Sequence, residues 1–306
     1  MREFELIARL ARHVGAPVQG VRLDTGDDAA WLDASSRGIV ATIDAIADGA
    51  HFVSAEHSGE AIGWKAMAVN LSDVAAMGAE PWVALVVITV PPGADALAEA
   101  IQRGMAECAG AHGTRIVGGD FVTAGTTHVT VALLGRDVEG RVVARAGARA
   151  GDGLWVSGAL GGSILGRHLR PTPRVALGLA LNRAGPPRAM IDVSDGLAGD
   201  VRHLCRASGV GARIFADAVP IARDAHELAR RTGKSALEHA LTDGEDFELL
   251  FAADAALEAW IAREGALLGV PLTRVGEFAG ASDQLVLVQA TGAEAPLAWR
   301  GYEHGG

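Results

Sequence analysis

Aspartates beside glycine, or at the ends of apolar stretches, recur along this chain. Asp27 and Asp28 stand in Gly26-Asp-Asp-Ala-Ala, Asp44 follows Val40-Ala-Thr-Ile, Asp73 closes Asn70-Leu-Ser-Asp, and Asp120 closes Gly118-Gly-Asp. Asp192 and Asp195 share Ile191-Asp-Val-Ser-Asp-Gly-Leu, and Glu245 and Asp246 lie in Asp243-Gly-Glu-Asp-Phe. Singly, each has an ordinary explanation: a turn carboxylate at Asp28 or Asp120, a helix cap at Asp195. Asp73 is harder to explain that way. It sits in the helical stretch Ala66 to Met77, where no other residue is charged, and a buried carboxylate requires a partner. Asn70, three residues earlier, shares its helical face and could share a ligand with it. No basic residue lies within one turn of Asp73, so a cation from elsewhere is the economical partner. Oxygen donors without His or Cys clusters select Mg²⁺, Mn²⁺ or Ca²⁺ over zinc. Two carboxylates about 4 Å apart repel by roughly 4 kcal/mol at an effective dielectric of about 20. A cluster of several therefore calls for metals between them.

Two familiar phosphate-binding patterns fail. Gly233-Lys234-Ser235 looks like the end of a phosphate-binding loop, but Leu228 stands where its first Gly belongs, and Arg223 to Arg231 is helical in pattern. Gly158-Ala-Leu-Gly-Gly162 follows a strand, yet its spacing does not match a dinucleotide turn. Arg170 and Arg174 occupy the region where an acidic ribose ligand would be expected.

The elements that must position the aspartates follow from periodicity. The spacing predicts an amphipathic helix over Arg2–Val14, a turn-rich stretch from Gly20 to Ala30 and a strand over Gly38–Asp44. A helix follows over Ser58–Gly78, with Ser58 as N-cap and Gly78 as the stop. Trp82–Val90 is rich in β-branched residues and ends at Pro91-Pro92. Next come a helix over Ala94–His112 and strands over Arg115–Gly118 and His128–Leu134. Gly135–Gly153 has few large apolar residues and reads as a link. Beyond it lie a strand at Leu154–Ser157, helices around Ser163–Leu181, a strand at Ala189–Asp192 and a helix from Ser194 to Ser208. Adjacent strands in the first half and alternating elements in the second predict an α+β fold of two domains, 1–140 and 150–306.

Composition sets the outer limits. The 306 residues are 49% hydrophobic and 21% charged, ordinary for a globular chain. The net charge is −10, which argues against nonspecific nucleic-acid binding. Nearly all of the acidic surplus lies in residues 1–140, so that half must either repel anions or bind cations. The longest apolar run, Trp82–Val90, is far shorter than the roughly 20 residues of a membrane helix. The first residues mix charges with apolar positions, unlike a secretory signal. Two distant cysteines, Cys108 and Cys205, fit a reduced, cytoplasmic setting.

Taken in order, the segments Glu3-Phe-Glu-Leu-Ile, Gly26-Asp-Asp-Ala-Ala, Asp44 with His51-Phe52, and Asn70-Leu-Ser-Asp-Val-Ala-Ala-Met-Gly-Ala carry a resemblance. Gly118-Gly-Asp, Arg170-Pro-Thr-Pro-Arg, Ile191-Asp-Val-Ser-Asp-Gly-Leu, Gly244-Glu-Asp-Phe-Glu-Leu and Gly301-Tyr-Glu-His extend it to residue 304. The set resembles the thiamine-monophosphate kinase family, within the PurM-like superfamily that includes aminoimidazole ribonucleotide synthetase. That resemblance implies a two-domain homodimer with an N-terminal mixed-sheet domain for ATP and metals and an α/β C-terminal domain completing the substrate site. It implies transfer from ATP to thiamine monophosphate, giving thiamine diphosphate, with several Mg²⁺ ions and no general base, because the acceptor is already an oxyanion. Asp28, Asp44, Asp73, Asp120, Asp192 and Asp195 would hold metals, with Thr42 or Ile43 contributing. Gly119, Asp120, Arg145 and Ser194 would contact ATP. His51, Glu245 and Tyr302 would contact the thiamine. Glu245 would balance the cationic thiazolium or bond the aminopyrimidine, and Tyr302 would stack on a ring or anchor the C-terminus.

Three departures from the family pattern stand out: Ile43 and Phe121 where Thr is usual, and a short stretch between Gly158 and Arg170. They keep two alternatives open, another PurM-like ATP-using synthetase and a catalytically weak ATP-binding module. Selenide phosphorylation is disfavoured, since no Cys lies in the first hundred residues.

Overall fold

The computed structural model describes residues 21–23, 27–34, 37–185, 187–280 and 284–297. The amphipathic stretch Arg2–Val14 and Tyr302 lie outside the described residues.

Two mixed sheets dominate. The first is built from β1 (Val21–Leu23), β2 (Ala30–Ala34), β3 (Arg37–Ala47), β4 (Glu80–Val90), β5 (Arg115–Thr123) and β6 (His128–Arg136), in the order β1-β2-β3-β6-β4-β5. All its pairs are antiparallel except β4 with β5. Between β3 and β4 runs helix α1 (Gly59–Ala76), and between β4 and β5 helix α2 (Asp95–Ala111). The second sheet has the order β13-β12-β9-β11-β7-β10-β8. Of these strands, β7 is Gly153–Ser157, β8 Ala189–Asp192, β9 Gly211–Phe215 and β10 Leu249–Ala253. The others are β11 (Leu272–Ala279), β12 (Leu285–Val288) and β13 (Glu294–Pro296). Helices α3 (Val175–Ala184), α4 (Leu197–Ser208), α5 (Arg223–Thr232), α6 (Ala236–Thr242) and α7 (Glu258–Leu268) connect them. This is an α+β architecture with one mixed sheet in each half of the chain.

Helix α1 fixes how the halves meet. Ser58 caps it by accepting from the Ala61 N–H at 3.2 Å, and Gly78, at φ +59°, turns the chain away beyond its end. Its side chains are buried almost all round, as expected of a helix enclosed between layers. It packs on β3, β4 and β6 of the first sheet, on α2 and α3, and on β8 of the second sheet. The apolar core is continuous across that junction: Met67, Leu71 and Val74 of α1 share one cluster with Met190, Leu249 and Phe251. The segment between the sheets carries no long element, but it is pinned there. Val143 N–H donates to Met77 O at 2.9 Å and Met190 N–H to Ala144 O at 3.0 Å.

The α1–α2 contact is unusually close because both helices present glycine. A Cβ on Gly63 would overlap the Ile101 carbonyl oxygen, and one on Gly104 the Glu60 carbonyl oxygen. Replacing a helical glycine with alanine ordinarily stabilises by about 1 kcal/mol. Here the sign reverses: Gly63→Ala and Gly104→Ala should each destabilise by about 2 kcal/mol, the range of overpacked cores. Thermal denaturation of each variant against wild type reads this directly, and a higher melting temperature would refute the backbone contact.

Several elements depart from the pattern reading. Strand β5 continues to Thr123, five residues past the predicted end, because Gly118 to Thr123 pair with Leu85 to Val90. The helices expected around Ser163–Leu181 begin as two single 3₁₀ turns, Ser163–Leu165 and Arg167–Leu169, before α3 starts at Val175. Helix α4 starts at Leu197, since Gly196 takes φ +91° and holds Ser194 and Asp195 in a turn. Among the described residues, no helix is long and apolar enough to cross a membrane.

Among the described residues, helices cover one face of the first sheet and none covers the other. Ile43, Leu85 and Val87 point to the open face, and Ile43 is 65% exposed.

Candidate active site

A cleft of about 590 Å³ lies where α1 meets both sheets. Its acidic wall is assembled from four elements. Asp44 and Thr42 project from β3 toward α1, with Ile43 between them on the opposite face, as strand alternation requires. Asp73 comes from α1, Asp192 from the end of β8, and Asp28 from the turn before β2. Carboxylate oxygens of Asp28, Asp73 and Asp192 all lie within 4.8 Å of one another, and Asp44 shares a hydrogen bond with Asp73. Hydroxyls complete the wall: Thr42 Oγ1 donates to Asp73 at 2.5 Å and Ser72 Oγ to Asp192 at 2.6 Å. The Arg145 guanidinium forks onto Asp28 at 2.7 and 2.9 Å, and its backbone N–H donates to Asp27.

The electrostatics follow from too few cations. Burial, then the charges of Asp44, Asp192 and Asp28, hold the Asp73 carboxyl well above the ordinary range. Burial and the charge of Asp28 push Asp192 up to about 7. Burial also raises Asp44, and burial with the Asp28 charge lifts Asp27 to about 6. Among the described residues the Arg145 guanidinium is the cation paired with these carboxylates, and one charge does not balance the group. The donors are carboxylates and hydroxyls, and among the described residues neither His nor Cys joins the Asp28–Asp73–Asp192 set. Such a site suits a hard, oxygen-seeking divalent cation.

Asp195 and Ser194 line the same cleft. The Asp195 carboxylate is grouped with Asp200 and His203, and its N–H donates to Asp200 at 3.1 Å. Asn70, expected to share a ligand with Asp73, instead donates its amide to Ala66 O at 3.0 Å.

Gly119 and Asp120 are not among the residues that line this cleft. Asp120 pairs with Val87, on the open face, whereas Asp44 pairs with Val131 on the helix-covered face. Three strand spacings of about 4.8 Å each separate them, roughly 14 Å, with the sheet itself between their side chains. Within one chain neither Gly119 nor Asp120 reaches the cleft. Phe121 turns to the α2 side, lining a separate groove with Ile88, Glu99 and Arg103.

The other end of the cleft is formed by His51, Lys65 and Glu245. Lys65, on α1, is fully buried; its ammonium meets Glu245 Oε1 at 2.6 Å and donates to His51 O at 2.7 Å. The Ala47 N–H donates to His51 Nδ1 at 3.2 Å, which places the ring proton on Nε2. Glu245 and Phe247 both adopt left-handed backbone, φ +54° and +51°, a strained state for such residues. Their N–H groups donate to Ser194 O and Val193 O at 2.7 and 2.8 Å. Between them, Asp246 accepts from the Gly161 N–H at 2.8 Å and from Arg167 at 3.1 Å, while burial pushes its carboxyl up to about 7.

Arg170 and Arg174, which frame the Pro-Thr-Pro segment, are both engaged within the chain. Arg170 stacks on Trp64 and pairs with Glu107, and Arg174 forks onto Glu248 at 2.7 and 2.5 Å. They brace the short Gly158–Arg170 stretch against its surroundings.

Sequence reasoning missed Lys65, Ser72 and Glu248, and it named Asp246 without giving it a role. For Lys65 a signal existed: it is one of two lysines in the chain and the only basic residue in a helix with no polar stripe.

Comparison with known proteins gives consistent matches. The family described as AIR synthase related protein, N-terminal domain, matches residues 26–136, and its C-terminal counterpart matches residues 144–286. Thiamine-monophosphate kinase of Rhodopirellula baltica is 44% identical over 270 positions, covering 85% of this chain and 84% of the relative. The enzyme of the same name from Salmonella typhimurium is 34% identical over 329 aligned positions, covering 99% and 98%. A solved structure described as AaThiL complexed with AMPPCP and TMP superposes with a TM-score of 0.84 at 29% identity, covering 99% of this chain and 97% of that one.

Proposed function

The chain belongs to the thiamine-monophosphate kinase family, a branch of the AIR synthase-related proteins, and from that premise we propose how its residues divide the work. The protein is an ATP-dependent kinase that phosphorylates thiamine monophosphate to thiamine diphosphate. One observation carries the assignment of roles: a group of four carboxylates and the Lys65–Glu245–His51 group line a single cleft.

Asp28, Asp44, Asp73, Asp192 and Asp195, with Thr42, hold the metals. Mg²⁺ held by these residues would supply the positive charge that lets two polyanions approach. The protein's own groups bind and orient. Arg145 and Ser194 contact ATP, and His51 and Glu245 contact the thiamine. The acceptor is a phosphate oxyanion, so no base is needed, and His51, protonated on Nε2, acts as a hydrogen-bond donor. The short Gly158–Arg170 stretch, braced by Arg167, borders the substrate side.

Residues 1–140 form the ATP and metal domain, and residues 150–306 the domain that completes the substrate site. A homodimer packed through the open face of the first sheet would cover Ile43, Leu85 and Val87. Gly119 and Asp120, excluded from their own chain's cleft, then belong to the inter-subunit part of the nucleotide site. The setting we propose is cytoplasmic.

A catalytically weak module is disfavoured by the position of Ile43. Its side chain lies on the open face, so the departure from Thr removes no hydroxyl from the acidic wall.

The test is ADP release by purified protein with Mg²⁺ and ATP. Thiamine monophosphate should elicit turnover, whereas formylglycinamidine ribonucleotide, or no acceptor, should not. Absent or acceptor-independent ADP release overturns the kinase reading.

A further inference from the structure

We propose that Lys65 is a positioning residue for the acceptor: it neutralises Glu245, so that this carboxylate selects the aminopyrimidine of thiamine as a hydrogen-bond acceptor and does not serve as counter-charge to the thiazolium. The inference rests on the kinase reading above and deepens it.

Lys65 has no exposed side-chain surface. A buried ammonium persists only with good acceptors, and two are supplied, Glu245 Oε1 at 2.6 Å and His51 O at 2.7 Å. The cation therefore ties both acceptor-contacting residues to α1, the helix that also carries Asp73. Eight residues separate Lys65 from Asp73, about 12 Å of helix rise. A single rigid element thus sets the distance between the heterocycle end and the phosphate end of the cleft.

The pairing decides what Glu245 can offer a ligand. Its carboxylate is in contact with a positive charge, so a ligand cation meets a neutral pair whose attraction and repulsion largely cancel. Directional acceptance of an N–H survives that cancellation, because it depends on the lone pairs of the oxygen left at the cleft. Glu245 keeps 29% of its side-chain surface exposed there.

The backbone supports a dedicated role. Glu245 holds φ +54°, where glycine would be unstrained. Its N–H is bound by Ser194 O and its neighbour Asp246 by Gly161 and Arg167. Such constraint keeps this one side chain presented to the cleft despite the strain.

Steady-state kinetics of wild type, Lys65→Met, Glu245→Gln and the double variant test the inference. Two acceptors are compared: thiamine monophosphate and oxythiamine monophosphate, in which a ring carbonyl replaces the pyrimidine amino group. Wild type should favour thiamine monophosphate by about 100-fold in kcat/KM. Glu245→Gln, whose amide can donate, should narrow that preference at least tenfold. Lys65→Met should raise KM for thiamine monophosphate at least tenfold with kcat changed less than threefold and KM for ATP unchanged. The double variant should be no worse than the poorer single one, as expected of residues acting as a unit. Circular dichroism and the unchanged KM for ATP separate this from misfolding; a misfolded Lys65→Met would lose both substrates, and the Glu245→Gln acceptor preference then decides alone. Equal loss of both acceptors in Glu245→Gln, or a folded Lys65→Met with KM within twofold of wild type, would overturn the inference while the kinase reading stands. A wild-type protein that does not turn over thiamine monophosphate would overturn both.

Discussion

Asp73→Asn should lower kcat/KM by at least 1,000-fold, about 4 kcal/mol of transition-state stabilisation, while making the metal-free protein more stable. Both effects come from the same geometry. Asp73 is the half-buried centre of the acidic wall, where desolvation and the charges of Asp44, Asp192 and Asp28 hold its carboxyl well above normal. Asparagine keeps the shape and still accepts from Thr42, but it removes one charge from a crowded set. With a chelator present, the variant should melt above wild type, a gain on the order of 1 kcal/mol. Wild type should be stabilised by added Mg²⁺, and the variant should lose most of that shift. Retained activity above about a tenth of wild type would remove Asp73 from the metal site.

Removing the cation from the same wall should do the reverse. Arg145→Met leaves Asp28, whose side chain has no exposed surface, without its partner. Stranding a buried charge costs about 3–5 kcal/mol, so the metal-free variant should melt well below wild type. Saturating Mg²⁺ should recover much of the difference, because a metal at Asp28 replaces the missing charge. Activity should also fall, by about 100-fold or more, since Arg145 is assigned to ATP. Thermal denaturation with and without Mg²⁺ reads the first effect. A variant that melts with wild type in chelator would show that Arg145 is not the counter-charge of the cluster. The opposite signs for Asp73→Asn and Arg145→Met, on neighbouring groups, are hard to obtain from general loss of packing.

Much of the site was legible because each signal was local. Asp73 stood out as a lone charge in an apolar helix, and the structure places it among the carboxylates of Asp28, Asp44 and Asp192. Ser58 as a cap and Gly78 as a stop placed that helix, and β-branched residues placed Trp82–Val90. The PurM-like kinase family was readable from ordered segments spread over the whole chain.

Other features depend on neighbours that sequence does not name. Periodicity tells which residues share a face, but α1 has no polar face, so nothing local said that it lies between two sheets. The approach of Gly63 to Ile101 and of Gly104 to Glu60 appears only when both helices are in place. Asp120 follows two glycines as a metal ligand should, yet strand order and register put it on the far side of the first sheet from Asp44.

The sequence by itself determined the donors: oxygen ligands in excess, and an acidic surplus concentrated in the first 140 residues. Only the tertiary structure decided which of those donors meet. It joined Asp28, Asp44, Asp73 and Asp192, left out Asp120, and paired Lys65 with Glu245 across 180 residues of chain. The physical reason is that residue type fixes what a group can bind, whereas charge balance and desolvation depend on distances that only the packed chain sets.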